Sequence, residues 1–258
     1  MEQRLKITFL GTGTSQGIPI IGSTHPVCLS NDEKDKRLRV SVLLSWGEYN
    51  YVIDCGPDFR QQMLTHKISK LDGILFTHEH SDHTAGLDDI RPFFFRQGDI
   101  PIYARKRVIK SLKQRFDYIF SRKNRYPGAP AVIINLIKKG ISFKLGDKEV
   151  VPIEADHNRL KVFGFRVDGF TYLTDVKSIR PKEIEKIRGT KILVVNALRK
   201  EPHHSHFNLK EALEFVETIK PQKTYFTHIS HLLGFHKEVE AQLPKNVYLA
   251  YDNLEMTL

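Results

Sequence analysis

The chain has 258 residues, 40% of them hydrophobic, and apolar segments recur from Ile7 to Leu258, which predicts one domain over residues 1–258 with a sizeable core. The formal net charge of +10 comes from Lys and Arg spread along the chain rather than gathered in a tract. It predicts a basic surface with room for a local anion pocket, and does not by itself call for a nucleic acid. No apolar run approaches membrane-spanning length, the stretch 7–10 is too short for a signal-peptide core, and no linker or solenoid repeat interrupts the chain. A cytoplasmic protein without a membrane partner is expected.

In chain order, a first strand over residues 5–10 runs into the glycine-punctuated loop Gly11-Thr12-Gly13-Thr14-Ser15-Gln16-Gly17. No helical pattern follows, so this is not a dinucleotide fingerprint; its small residues let the backbone pass close to something. Residues 40–44 and 49–54 read as a hairpin, 58–66 as a short helix, 71–76 as a buried strand, 85–95 as a helix, 100–104 as a strand and 106–120 as a basic amphipathic helix. Residues 121–130 are loop-like. Strands are expected at 141–143, 148–153, 162–167 and 170–174, mostly in hairpins. A helical turn at 181–187 precedes a buried strand at 191–195 and a helix at 208–219 capped by Asn208; further strands follow at 223–227 and 246–250. Both halves are strand-rich with helices between, an α+β pattern. The segment 116–128 mixes aromatics with cations; it would suit covering a sugar phosphate, stacking on bases, or a homodimer contact, and its plainest reading is a basic surface helix and loop.

The strongest chemical signal is Thr77-His78-Glu79-His80-Ser81-Asp82-His83, four metal-ligand side chains in six positions directly after Gly73-Ile74-Leu75-Phe76. His78 and His80, two apart on an extended strand end, share a face. Asp82 and His83 follow where the chain turns, so they approach from another side. Nitrogen ligands for one ion, and an oxygen plus a nitrogen for a neighbour, suit zinc, manganese or iron rather than calcium or magnesium. The same pattern, apolar strand then ligand type, recurs at His157, Asp175 and His228, and strand ends that converge would gather these groups at one rim. Two ions held about 4 Å apart lower the pKa of a shared water and stabilise charge on a phosphoryl oxygen. Cys28 and Cys55 read as thiols or ligands rather than a disulfide, and Cys55 as a small buried filler.

On these residues the chain resembles the metallo-β-lactamase superfamily in its two-metal form, which implies a four-layer αββα sandwich and two divalent transition-metal ions, zinc or manganese. The resemblance implies His78, His80 and His157 on one ion, Asp82, His83 and His228 on the other, and Asp175 bridging. Asp54, before Cys55-Gly56-Pro57, resembles the family's buried aspartate that supports the ligand loop. The opening Gly11-Thr12-Gly13-Thr14-Ser15 and the run His206-Phe207-Asn208-Leu209-Lys210-Glu211-Ala212 resemble the phosphodiesterase branch. That implies His206 as the catalytic group protonating a leaving oxygen, beside the ligand Asp82. His203 and His204 are assigned no role.

Residues 20–28 and Thr227-His228-Ile229-Ser230-His231 are similar to the phosphoribosyl cyclic phosphodiesterases of the carbon–phosphorus lyase pathway. There, three cysteines and a histidine hold a structural zinc. Ser23 and His25 stand at two of the cysteine positions here, Cys28 remains, and His231 matches the histidine. A three-ligand zinc site of His25, Cys28 and His231 is one expectation; the other is an ordinary loop with a buried thiol, held by packing. The function implied is hydrolysis of a small cyclic or nucleotide-like phosphodiester. A nuclease of RNA or DNA ends, akin to the tRNA 3′-processing enzymes, is less favoured. Those enzymes insert a long arm between the equivalents of His157 and Asp175, which here are 18 positions apart (175 − 157). A non-catalytic metal-binding module is disfavoured by the complete ligand set.

Overall fold

The computed structural model describes residues 3–121 and 126–258. Its N-terminal half supplies strands β1 (Lys6–Gly11), β2 (Ser41–Trp46), β3 (Tyr49–Ile53), β4 (Gly73–Leu75), β5 (Ile100–Ala104) and β6 (Val132–Leu136). The C-terminal half supplies β7 (Phe143–Leu145), β8 (Lys148–His157), β9 (Leu160–Val167), β10 (Phe170–Tyr172), β11 (Ser178–Ile179), β12 (Ile192–Asn196), β13 (Lys223–Thr227), β14 (Val247–Leu249) and β15 (Glu255–Thr257). One sheet runs β15-β1-β2-β3-β4-β5-β6 and the other β11-β8-β9-β10-β12-β13-β14, with β7 pairing β8. The helices are α1 (Phe59–Thr65), α2 (Ser81–Thr84), α3 (Arg91–Gln97), α4 (Lys106–Arg115), α5 (Asp117–Phe120), α6 (Pro181–Ile184), α7 (Leu209–Ile219) and α8 (His236–Glu240).

Alternation along the strands creates three apolar layers. Ile7, Phe9, Val42 and Leu44 of the first sheet meet Phe163, Phe165, Tyr172 and Val194 of the second. The outer face of the first sheet buries Val52, Ile74 and Ile102 under Phe59, Phe93, Val108 and Leu112 of α1, α3 and α4. The outer face of the second buries Leu193, Val195 and Phe226 under Ala212, Phe215, Val216 and Ile219 of α7. Helix, sheet, sheet, helix is the expected αββα sandwich. Asn208 caps α7 in a reciprocal box with Glu211.

The departures from expectation have local causes. The helix expected over 85–95 is broken: α2 ends early, a 3₁₀ turn spans Leu87–Ile90, and α3 begins with Pro92 in its first turn. The break falls at Gly86, where a Cβ would come within 2.1 Å of the Gly56 carbonyl oxygen. The helix expected over 106–120 is interrupted at Phe116, whose φ of −130° is not helical. β6, β11, β15 and α8 were not anticipated; β6 is an edge strand with Ile133 and Leu136 exposed, so it lacks the buried alternation that marks a strand. Of the segment 116–128, residues 122–125 lie outside the described residues; at its ends the Tyr118 hydroxyl donates to Asp88 (2.9 Å) and Arg91 stands over the Tyr126 ring. Among the described residues no helix is long and apolar enough to cross a membrane.

Candidate metal centre

Strand ends from both sheets meet at one rim. β4 leads into His78 and His80, α2 carries Asp82 and His83, β8 ends at His157, β10 leads to Asp175 and β13 to His228. Four overlapping groups have ligand atoms within 4.8 Å of one another: His78, His80 and His157; His78, His83 and Asp175; Asp82, His83 and His228; His157, Asp175 and His206. Asp175 lies at the middle. One oxygen, Oδ2, sits 3.2 Å from His83 Nε2 and 3.3 Å from His228 Nε2; the other, Oδ1, sits 2.9 Å from His206 Nε2 and 3.8 Å from His157 Nε2.

The turns that aim these side chains are sharp. Asp54, Asp175 and His228 all have positive φ (64°, 58° and 55°), each just past the end of a strand. A left-handed conformation costs a non-glycine residue roughly 1–2 kcal/mol and persists only where surrounding contacts impose it. Those contacts are visible. Ile229, directly after His228, donates its amide to the Thr12 carbonyl (2.9 Å) and accepts from the Thr14 amide (3.0 Å). The glycine-punctuated loop is thus a backbone prop for His228. Gly11 at its start must lack a side chain: a Cβ there would lie 2.1 Å from the Arg39 carbonyl oxygen.

The ligand rings are fixed from behind. Asp54 is fully buried and accepts from the Thr77 amide and Thr77 hydroxyl (both 2.8 Å), and its Oδ2 lies 2.6 Å from His83 Nδ1. Thr77 Oγ1 is also 3.0 Å from His78 Nδ1, so a single aspartate orients two rings through their outer nitrogens. His157 Nδ1 meets the Ser205 carbonyl at 2.8 Å. Thr84 Oγ1 donates to the His80 carbonyl (2.7 Å), while Arg115 of α4 donates to Thr84 Oγ1 (2.6 Å) and to the Glu79 carbonyl (3.2 Å). Only Asp54 of these supports was read from sequence. Thr77 had one signal, its place directly before His78; Thr84, Ser205 and Arg115 act across distances that leave no local pattern.

The centre fits cations. His78 Nε2, His83 Nε2 and both ring nitrogens of His228 are buried without a hydrogen-bond partner. Burying such an atom unpaired costs about 1–3 kcal/mol, which a bound metal ion offsets. Burial holds His78, His80, His157 and His206 below the usual histidine value, so these imidazoles are neutral, the form that ligates. Burial also pushes His83 down, yet Asp82, Asp175 and Asp54 around it hold it well above its ordinary value. Three carboxylates that draw a proton onto a buried ring mark a cage with an uncompensated negative charge. Burial pushes Asp54 itself up, against the pull of His83 and Thr77.

His25, Cys28 and His231 do not close into a ligand group among the described residues. The His25 and His231 rings meet edge to face at 4.8 Å, but His25 Nδ1 accepts from the Val27 amide (3.3 Å), capping a 3₁₀ turn. Cys28 packs with Ile18, Val27, Ile20 and Phe235. Both cysteines are free and buried. The loop is tied at its start, where Ile18 and Arg37 exchange backbone hydrogen bonds (2.8 Å each), and just beyond its end, where Asp35 accepts from the Ser30 hydroxyl (2.6 Å) and the His236 amide (2.7 Å).

A fold of two facing sheets with paired His/Asp ligand groups on one rim defines a class, and comparison with known proteins agrees. The family model described as a beta-lactamase superfamily domain matches residues 49–229. A crystal structure described as a new diphosphatase from the PhnP family superposes with a TM-score of 0.92 at 37% identity, covering 99% of this chain and 97% of that one. The chain therefore belongs to the metallo-β-lactamase superfamily and, within it, to the PhnP family. A protein of Porphyromonas gingivalis named octanoyltransferase is 37% identical over 253 residues, 97% of this chain and 51% of that protein. A ribonuclease Z of Listeria monocytogenes is 28% identical over 171 residues, 63% of this chain and 49% of that protein. The chain spans about half the length, or less, of the curated relatives it matches. The human short-form tRNase Z (20% identity, TM-score 0.66, 97% and 98% covered) shares the fold.

Proposed function

We propose that this metal-dependent hydrolase cleaves a small phosphodiester, cyclic or nucleotide-like, at a dinuclear centre. The carrying observation is the set of buried, unpartnered imidazole nitrogens around an aspartate whose two oxygens face different histidines. In this reading His78, His80 and His157 hold one ion, Asp82, His83 and His228 the other, and Asp175 joins them. Two such ions, when bound, activate a water and offset charge on a phosphoryl oxygen. The chain's own groups do the rest. Asp54 and Thr77 keep the Nε2 atoms of His78 and His83 turned inward, and His206 Nε2 supplies the proton to the leaving oxygen. The diphosphatase description of the similar structure adds phosphoanhydrides to the substrates worth testing.

A long substrate is disfavoured. Between His157 and Asp175 the chain is occupied by β9 and β10, which leaves no room for a nucleic-acid-gripping arm. The octanoyltransferase name belongs to a protein of which this chain matches half. The test is a panel of bis-p-nitrophenyl phosphate, cyclic ribose phosphates, 2′,3′-cyclic nucleotides, a sugar diphosphate and short RNA, assayed with zinc and with manganese. Turnover of small diesters over RNA supports the proposal; selective turnover of RNA reverses it.

A further inference from the structure

We infer that β6 is a dimerisation edge, at which two copies of this chain join their first sheets by pairing β6 antiparallel with β6 about a two-fold axis at Ile134. β6 ends its sheet, hydrogen-bonded to β5 on one side, and among the described residues no strand pairs with its other side. The Ala131 carbonyl accepts from the Ile100 amide and the Ile137 amide donates to the Ala104 carbonyl (3.0 Å each). Odd-numbered residues therefore turn their backbone groups to β5. Successive residues of a strand turn these groups to opposite sides, so Val132, Ile134 and Leu136 hold theirs outward in an open row of donors and acceptors.

Such edges are ordinarily blunted by shortness, by lysine or proline, or by a bulge. β6 has none of these devices. Its five residues, Val132-Ile133-Ile134-Asn135-Leu136, pair with β5 without a register shift and carry no charge, in a chain whose net charge is +10. The other edge strands are shorter: β14 and β15 have three residues each and β11 has two. Apolar side chains are exposed on both faces of β6. Ile134 and Leu136 share the face on which Val132 packs toward the helix layer, and Ile133 shares the face on which Ile137 joins the core between the sheets.

The pattern is its own complement, which selects a second copy as the occupant. An axis at Ile134 sets Ile134 against the partner's Ile134 and Val132 against the partner's Leu136. Every outward residue of the strand then falls in a pair that exchanges both N–H···O bonds. The first charges beyond the strand, Lys138 and Lys139, fall opposite the partner's Pro130 and Ala129, so no like charges meet; Lys139 is already paired with Glu154 (2.7 Å). β4, β5 and β6 run parallel, and the metal rim lies beyond the C-terminal end of β4. An antiparallel join turns the partner's rim to the opposite side and leaves each centre complete within its own chain.

The test is sedimentation equilibrium of the chain, with amide hydrogen exchange read by NMR on the same samples. The wild type should weigh twice 29.8 kDa and dissociate on dilution. The Ile134 and Leu136 amides should be protected in the dimer and exchange freely in the monomer, whereas the Ile133 and Asn135 amides, turned to β5, stay protected in both. Ile134→Lys sets like charges face to face at the axis and should weaken association about tenfold or more. Ile134→Pro removes only an outward N–H, which an edge strand tolerates, and should do the same. Continued protection of the Ile133 and Asn135 amides in these variants shows the sheet intact. Leu136→Lys should also weaken the dimer, and adding Val132→Glu should restore it, because the two positions oppose each other across the axis. A wild-type chain of single mass at high micromolar concentration overturns the inference and leaves the edge to a strand of another protein or to solvent. A dimer that survives both Ile134 variants places the contact elsewhere and overturns it equally.

Discussion

Two regions of this chain carry metal-ligand residues, and the structure treats them differently. Around Asp175, residues from five separate segments converge, and His78, His83 and His228 among them carry buried ring nitrogens with no hydrogen-bond partner. In the loop ending at Cys28, His25 meets the ring of the distant His231, yet His25 caps a turn and Cys28 packs among apolar side chains. Ligand-type residues near each other therefore do not make a site. What distinguishes the first region is the machinery behind the ligands: Asp54 and Thr77 dictating which ring nitrogen faces inward, and strand ends forced into left-handed turns.

The comparison breaks most severely at Asp175. Asp175→Ala should cost both bound metal and activity, with turnover falling by about a thousandfold or more; full activity without this carboxylate removes its bridging role. His206→Ala separates ligand from proton donor within the same region. Turnover should fall by about 10²–10⁴ while elemental analysis finds the metal content intact. Equal loss of metal makes His206 a ligand.

The second region predicts a pH effect instead of a metal effect. Asp252 accepts from Thr12 Oγ1 (2.7 Å) and the Leu38 amide (2.6 Å), fastening the chain before and after the loop to the C-terminal segment, and burial pushes its carboxyl up to about 6 from 3.8. A folded value above the unfolded one means the contribution is fully present below about pH 4 and is lost as pH rises through 6. The loss is about 3 kcal/mol, two units at about 1.4 kcal/mol each. In denaturation series from pH 4 to 7, Asp252→Asn should lack this decline; parallel curves for wild type and variant refute it. Asp54→Asn sharpens the bracing argument, with metal affinity expected to fall about ten- to a hundredfold. The smallest effect is Cys28→Ala: about 1 kcal/mol of stability and no change in bound metal. Loss of one equivalent per chain in that variant reinstates a structural ion.

Much of this was legible in sequence because the centre is announced locally. The run from His78 to His83 needs no structure to be noticed, and His157, Asp175 and His228 each follow a recognisable apolar strand. The layered fold was legible only through the family resemblance those motifs carry, because β1 and β2 are buried on both faces and show no exposed alternate positions. What was hidden is what acts across the chain. Thr12 bonds to Asp252 across 240 positions, and Gly86 lies so close to Gly56 that a Cβ there would meet its carbonyl oxygen. β6 escaped because an exposed edge strand lacks the alternation by which buried strands are recognised. The left-handed turns at Asp54, Asp175 and His228 escaped because aspartate and histidine give no sign that a turn is required.

The most direct measurement is elemental analysis of the purified protein alongside its Asp175→Ala variant. The account predicts two transition-metal ions per chain in the first and a large loss in the second. A wild-type chain that binds no such ion after equilibration with zinc or manganese contradicts it.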